Sequence, residues 1–197
     1  MIVGNTPTPA RVERLKGLPQ VHEQHSLLRL VYLGIVEWSR GLDTVLEGLA
    51  LPGGSGATLD VFGDGKGLAK AREKAASLDI VDRVVFHGRV PYDSALDKLR
   101  RFDVGLIPHH ATRLWQNTLP NKLFDYMAAG LPVLASDMPP TRRVIQQTGC
   151  GAVFRSQSSE SFAQQLSLFS DPRARDAMGA AGQGAVATRY AWEQDAQ

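Results

Sequence analysis

From Leu28 onward the chain alternates between two hydrophobic periods. Short apolar runs that stop at glycine or proline read as strands, and stretches with apolar residues three or four apart read as helices. Leu28-Arg-Leu-Val-Tyr-Leu33 is the first strand and stops at Gly34. Gly41 to Leu51 places Leu42, Val45, Leu46 and Leu49 on one helical face. Thr58 to Phe62 is a second strand, closed by Gly63-Asp64-Gly65. The Ala- and Lys-rich stretch from Lys66 to Leu78 favours helix. Arg83 to Phe86 is a third strand ending at Gly88, and Tyr92 to Phe102 a helix with Leu96 and Leu99 on its apolar side.

The second half repeats the scheme. Val104-Gly-Leu-Ile107 is a strand ending at Pro108, followed by a polar loop from His109 to Thr118. The pattern predicts a helix over 120–129 with Gly130 as its C-cap, then a strand over 131–135. A short helix over 141–148 and a strand over 152–154 follow. Helices over 161–169 and 172–189 close the chain, the last opened by Asp171 as N-cap and Pro172 at the first helical position. Residues 1–28 keep no apolar period and are punctuated by Pro7, Pro9, Gly17 and Pro19, so they read as a linker. Residues 29–197 read as one domain.

Six strands alternating with helices predict a doubly wound, mostly parallel α/β sheet of Rossmann-like form, covered on both faces. Ligands bind such sheets outside the carboxyl ends of the strands, at the point where strand order reverses. That rule directs attention to loops 34–41, 63–66, 87–92, 108–120 and 135–141.

Composition narrows the function classes. Hydrophobic residues at 43% and charged residues at 21% support a packed core and argue against disorder. The net charge is +2, with no Lys/Arg run interleaved with aromatics, so nothing points to nucleic acid. A single cysteine, Cys150, allows no intrachain disulfide and reads as packing, which fits a reducing, cytoplasmic setting. Met1 to Pro9 carries no signal-peptide pattern, and no apolar run approaches the roughly twenty residues that span a bilayer.

The stretch Asn117-Thr-Leu-Pro-Asn-Lys-Leu-Phe-Asp125 carries the most chemistry. A loop runs into a helix N-terminus, where free N–H groups and the helix dipole suit a phosphate. Asp125 lies further along that helix. A carboxylate there can accept both hydrogens of a vicinal ribose diol, or it can be a solvated side chain on an amphipathic helix. His109 and His110 are adjacent and cannot easily share one metal, and no cysteine or third histidine lies near, so no metal site is expected. Gly63-Asp-Gly-Lys-Gly67 lacks the spacing of a P-loop or a dinucleotide fingerprint. Trp38 and Trp115 lie in site-facing loops and either stack on a ligand or pack.

This stretch resembles the retaining glycosyltransferases of GT-B fold, in particular glycosyltransferase family 4. The family's pair of glutamates separated by seven residues falls on Asn117 and Asp125. The following Met127-Ala-Ala-Gly-Leu-Pro-Val-Leu-Ala-Ser136 matches its small-residue and Gly-Leu-Pro-Val run. Leu33-Gly34, Arg40-Gly41-Leu42-Asp43, Val61-Phe-Gly-Asp-Gly65, Asp82-Arg-Val-Val-Phe-His-Gly88 and Tyr190-Ala-Trp192-Glu193 are similar to further landmarks, in the same order. The resemblance implies the C-terminal half of a GT-B enzyme, with the acceptor-binding N-terminal domain absent and Ile2 to Pro7 as interdomain linker. The implied donor is a nucleoside diphosphate sugar of UDP or GDP type, and the acceptor a glycan or lipid-linked sugar, as in polysaccharide biosynthesis. Peripheral attachment of the longer enzyme to the inner membrane face is a further expectation. No cofactor or metal is implied.

Site roles follow from the same resemblance. Asp125 would bind ribose, one methylene shorter than the family's Glu. Asn117 would touch the donor sugar without the charge of the residue it replaces. Arg40 would hold the diphosphate, and with Asn117 carry the catalytic roles. Ile35 stands where relatives often have a second Arg. Lys122 either supplies that charge or is an exposed helix lysine. Backbone N–H groups of Thr118 and Leu119 would meet a phosphate or sugar oxygen, and backbone atoms near Arg89 and Val90 the base edge. Two rival readings are a non-catalytic nucleotide-sugar-binding domain and a GT-B relative such as a nucleotide-sugar 2-epimerase.

Overall fold

The computed structural model describes residues 8–18 and 26–190. Six parallel strands form one sheet: β1 (Leu28–Leu33), β2 (Ala57–Phe62), β3 (Val84–Gly88), β4 (Val104–Ile107), β5 (Val133–Ser136) and β6 (Gly151–Phe154). Their spatial order is β3-β2-β1-β4-β5-β6. The chain therefore winds outward from β1, returns to the middle, and winds outward again from β4. The helices are α1 (Pro9–Lys16), α2 (Leu42–Ala50), α3 (Leu68–Ser77), α4 (Tyr92–Leu96), α5 (Asn121–Ala129), α6 (Pro139–Thr148), α7 (Ser159–Gln165) and α8 (Pro172–Thr188).

Residue alternation along β1 divides the core between the two faces. Val31 and Leu33 join a cluster with Leu96 of α4, Leu123 and Phe124 of α5 and Val186 of α8. Leu30 and Tyr32 join another with Leu46 of α2, Ala71 of α3 and Phe162 of α7. Both faces of the central strands are covered, which is why β1, β4 and β5 read as largely apolar runs.

Three stretches depart from the sequence pattern. The helix expected over 161–169 starts at Ser159, ends as α-helix at Gln165 and continues as a 3-10 turn over Leu166–Phe169. The segment expected to be linker contains α1. Thr8 caps it, its hydroxyl accepting from Arg11 N–H at 3.4 Å, and Pro9 opens it. Val12 and Leu15 are buried against the core. The single helix expected over 92–102 is broken: α4 ends at Leu96, and a separate 3-10 turn covers Leu99–Arg101. Ile2 to Pro7 and Ala191 to Glu193 lie outside the described residues.

The middle of the sheet is opened by one aromatic side chain. β1 and β4 pair only at Leu30↔Val104 and Val31↔Gly105. Beyond that, the Leu33 N–H donates to Tyr126 Oη of α5 at 3.1 Å instead of to a strand. Gly105 permits this, because a Cβ there would lie 2.5 Å from the Tyr126 ring. The carboxyl ends of β1 and β4 thus splay apart over α5. Across the mouth, Gly41 (φ +69°) sits so close to Pro108 that a Cβ would stand 1.8 Å from its carbonyl oxygen. Only glycine allows the loops after β1 and β4 to touch there.

Candidate functional site

The crevice lies where the winding reverses, between the loops after β1 and β4, and α5 forms its floor. Asp125 and Tyr126 stand three and four residues after Lys122, so the three share one side of α5, with Tyr126 buried between β1 and β4. No side chain caps the α5 N-terminus.

The Lys122 end is basic and short of partners. Among the described residues, four buried side-chain nitrogens have no hydrogen-bond partner: Lys122 Nζ, His109 Nε2, His110 Nδ1 and Trp115 Nε1. Buried polar groups almost always have partners, so four orphans in one place are diagnostic. Lys122 Nζ lies 4.1 Å from the centroid of the Tyr32 ring and beside Gly34. Burial pushes its ammonium well down, and Arg40 pushes further in the same direction, against a smaller upward pull from Asp125. The His109 ring packs on Trp115 with centroids 4.0 Å apart. Burial, then Lys122 and Arg40, drive His109 far below the ordinary imidazole range. The Arg40 guanidinium also lies over Trp115, 4.4 Å from its ring centroid, with Nε 3.4 Å from Glu37 Oε1. His110 is anchored by Asp43, 3.0 Å away, and meets Trp38 edge-on. Burial alone would raise Asp43, but its bond to His110 brings it below the usual carboxylate range.

The Asp125 end is fully partnered. Asp125 is 1% exposed. It accepts a hydrogen bond from Tyr92 Oη at the start of α4, and Arg11 of α1 stands 3.7 Å away. Arg11 also lies over the Tyr92 ring, 5.3 Å from its centroid. Burial raises Asp125; Tyr92, Arg11 and Lys122 oppose that rise.

The expected site residues meet different fates. Arg40, Lys122 and Asp125 converge on the crevice. Lys122 is buried, so the reading as an exposed helix lysine is corrected: the crevice, not solvent, receives its amine. Asp125 is likewise no solvated side chain. Asn117 is exposed, and its Nδ2 donates to the Arg113 carbonyl at 2.7 Å. Thr118 and Leu119 are half-buried on the approach to α5, Leu119 against the core. Arg89 is exposed and Val90 half-buried just past β3. Ile35 is 53% exposed at the rim. Trp38 is exposed, whereas Trp115 is buried. His109, Tyr92 and Arg11 escaped sequence reasoning. The adjacency of His109 and His110 argues against a shared metal but says nothing of His109 as a single donor in a site-facing loop. Among the described residues, no group of three or more His, Cys, Asp or Glu could hold a metal ion, and no helix is long and apolar enough to cross a membrane.

Winding order, helical floor and basic crevice together define a doubly wound domain of the GT-B type. The chain matches the family described as Glycosyl transferases group 1 over residues 19–184, and it belongs to that family. Its fold is similar to the C-terminal domain of a glycosyl transferase group 1 family protein from Francisella tularensis, at 18% identity and TM-score 0.69, with 83% of this chain and 86% of that one covered. Sucrose-phosphate synthase from Thermosynechococcus elongatus aligns at 19% identity and TM-score 0.74, over 98% of this chain and 47% of its own. Anabaena HepE, crystallised with UDP and glucose, aligns at 14% identity and TM-score 0.73, over 96% of this chain and 50% of its own. The chain thus spans about half the length of those two proteins. No curated protein matches it in sequence.

Proposed function

We propose that this chain is the donor-binding half of a retaining glycosyltransferase, with residues 29–197 as the nucleotide-sugar-binding domain. Joined to an acceptor-binding domain, it would transfer a hexosyl unit from a nucleoside diphosphate sugar to an acceptor hydroxyl. One observation carries this reading: a buried, unpartnered amine at Lys122 lies one helical turn from a buried carboxylate at Asp125, with Arg40 beyond it. A ligand with two hydroxyls at one end and phosphates at the other matches both: the phosphates answer the open amine, and the hydroxyls fit a carboxylate acceptor. In this arrangement Asp125 takes the ribose diol, while Lys122 and Arg40 hold the diphosphate and stabilise the charge that develops as it leaves. Backbone groups near Thr118, Leu119, Arg89 and Val90 complete the cradle. HepE, with UDP in its crystal, supports the ligand class. A second reading, a binding domain without catalysis, draws support from Asn117, which lacks the charge of the residue it replaces and is bonded to Arg113 O.

Calorimetry with UDP, GDP and their nucleosides tests the proposal. One diphosphate is expected to bind, and Arg40→Ala to weaken it by about 1.5–3 kcal/mol while sparing the nucleoside. Failure of both diphosphates to bind at millimolar concentration would overturn it. The chain alone is expected to bind donor without transferring sugar, since catalysis by positioning needs both substrates held together. Transfer by the isolated chain, detected by mass, would place the acceptor site within it. Donor binding without transfer by the joined enzyme would favour the second reading.

A further inference from the structure

The crevice has two ends. At one, Asp125 meets Tyr92 and Arg11. Lys122 lies one helical turn before Asp125, its amine over the Tyr32 ring and beside Gly34. At the other end Trp115 joins Arg40 to His109, with the Arg40 guanidinium 4.4 Å and the His109 ring 4.0 Å from it. His109 thus belongs with the basic groups and lies toward the pole opposite Asp125. If Asp125 takes the ribose, the His109 pole receives the distal phosphate, the one that carries the sugar.

His109 is built for an incoming anion. It is 1% exposed and its Nε2 has no partner. Its position is fixed: its carbonyl oxygen accepts from Ser136 Oγ at 2.5 Å and Ser156 Oγ at 3.3 Å, and Trp115 covers its ring. The charged groups that bear on it are Lys122 from α5, Arg40 from the turn after β1, and His110 beside it. All are cationic or can become so. The carboxylates of the neighbouring segments are already paired, Glu37 with Arg40, Asp43 with His110 and Asp137 with Arg142. A proton on His109 in the empty site would add another positive charge to a dry pocket with no anion to answer it. A phosphate arriving beside Nε2 reverses that balance, since an opposite charge at hydrogen-bond distance favours the imidazolium.

We propose that His109 binds the distal phosphate of the donor and takes a proton from solvent as it does so, so that donor binding is coupled to uptake of a proton at Nε2. The inference rests on the nucleoside diphosphate sugar reading. It adds a specificity element: the imidazolium rewards a ligand with a distal phosphate and gives nothing to a nucleoside. The linkage sign follows. A site that binds its ligand more tightly when protonated gains affinity as pH falls, over the window between the depressed value in the empty site and the higher value in the complex.

UDP-glucose and GDP-mannose are suitable probes, because their phosphates do not titrate near neutrality. Calorimetry at pH 6–7 in buffers of different protonation enthalpy measures the protons taken up on binding. The wild-type chain is expected to take up more protons than His109→Gln, and the variant to bind the sugar nucleotide about 10- to 100-fold more weakly. The nucleoside should bind both proteins equally, which shows that the variant is folded and that its Asp125 end is intact. Lys122 can add its own proton uptake, so the difference between the two proteins is the readout. Equal uptake and equal affinity would overturn the role of His109 while leaving the donor-site reading intact. No binding of either probe to the wild type would overturn both. Should His109→Gln fail to fold, His109→Asn is measured in the same way.

Discussion

The two ends of the crevice share one helix and are prepared in opposite ways. At the carboxylate end, Asp125 already has a hydroxyl from Tyr92 and a guanidinium from Arg11. At the basic end, Lys122, His109, His110 and Trp115 each hold a nitrogen with no partner. A ligand reaching the first end must exchange one hydrogen bond for another, so its net gain is small. A ligand reaching the second end satisfies groups that the empty protein leaves unpaired, so its gain approaches the full cost of their burial. The difference assigns affinity to the basic end and fit to the carboxylate end. It also means that the basic end is held in place at some expense to folding stability.

The largest effect expected is that of Lys122→Met. The substitution keeps the stem and removes the buried amine. Thermal unfolding should shift upward by an amount corresponding to about 1 kcal/mol, because an unpartnered polar group is lost from the interior. Affinity for the nucleoside diphosphate should fall by about 2–4 kcal/mol, and nucleoside affinity should change little. A variant that melts lower than wild type would mean that the Tyr32 ring partners the amine fully, and the contrast between the two ends would disappear.

Asp125→Ala comes next and sharpens the contrast from the other side. Because the ligand exchanges one hydrogen bond for another at this end, the loss should cost only about 1 kcal/mol. The cost should fall equally on nucleoside and nucleoside diphosphate, measured by calorimetry. A loss confined to the diphosphate would move Asp125 out of the ribose position.

The smallest effect is that of Arg11→Ala. Arg11 is more than a third exposed, so its pair with Asp125 is worth only about 0.5 kcal/mol at neutral pH. Its signature lies in the pH profile. Burial raises Asp125 and Arg11 opposes that rise, so removing Arg11 lets the carboxyl hold its proton to higher pH. The ionised form accepts both ribose hydrogens. On acidification, nucleoside affinity should therefore fall away at a higher pH in the variant than in wild type. Superimposable profiles would show that α1 does not reach the site.

Much of the scaffold was legible along the chain. The first strand has the predicted bounds, Leu28–Leu33. Gly130 ends α5 with φ +71°, and Asp171 caps α8 through Arg173 N–H at 2.9 Å. These signals are local: a period of burial, a residue that tolerates positive φ, a side chain that bonds two residues on. α1 carries the same kind of signal in Thr8-Pro9, but an eight-residue helix with two buried positions shows no period to confirm it. The break after Leu96 is also invisible as a pattern, since Leu96 and Leu99 keep helical spacing across it.

The site was legible by position and not by state. The alternation of strands and helices was enough to name the loops, the Asn117–Asp125 stretch to name Asp125, and the family resemblance to name Arg40 and Lys122. Whether Lys122 met water or the crevice depended on Tyr126, one turn along, reaching 93 positions back to Leu33 and parting β1 from β4. The partnering of Asp125 by Tyr92, 33 positions away, and the isolation of His109 beneath Trp115 are of the same kind. The sequence by itself determined the winding of the sheet and the chemical groups on its reversal, because propensity, capping and burial period act between near neighbours. Only the tertiary structure decided which of those groups are paired and which are left open to a ligand, because pairing in a dry interior depends on distance in space and on how much water has been displaced.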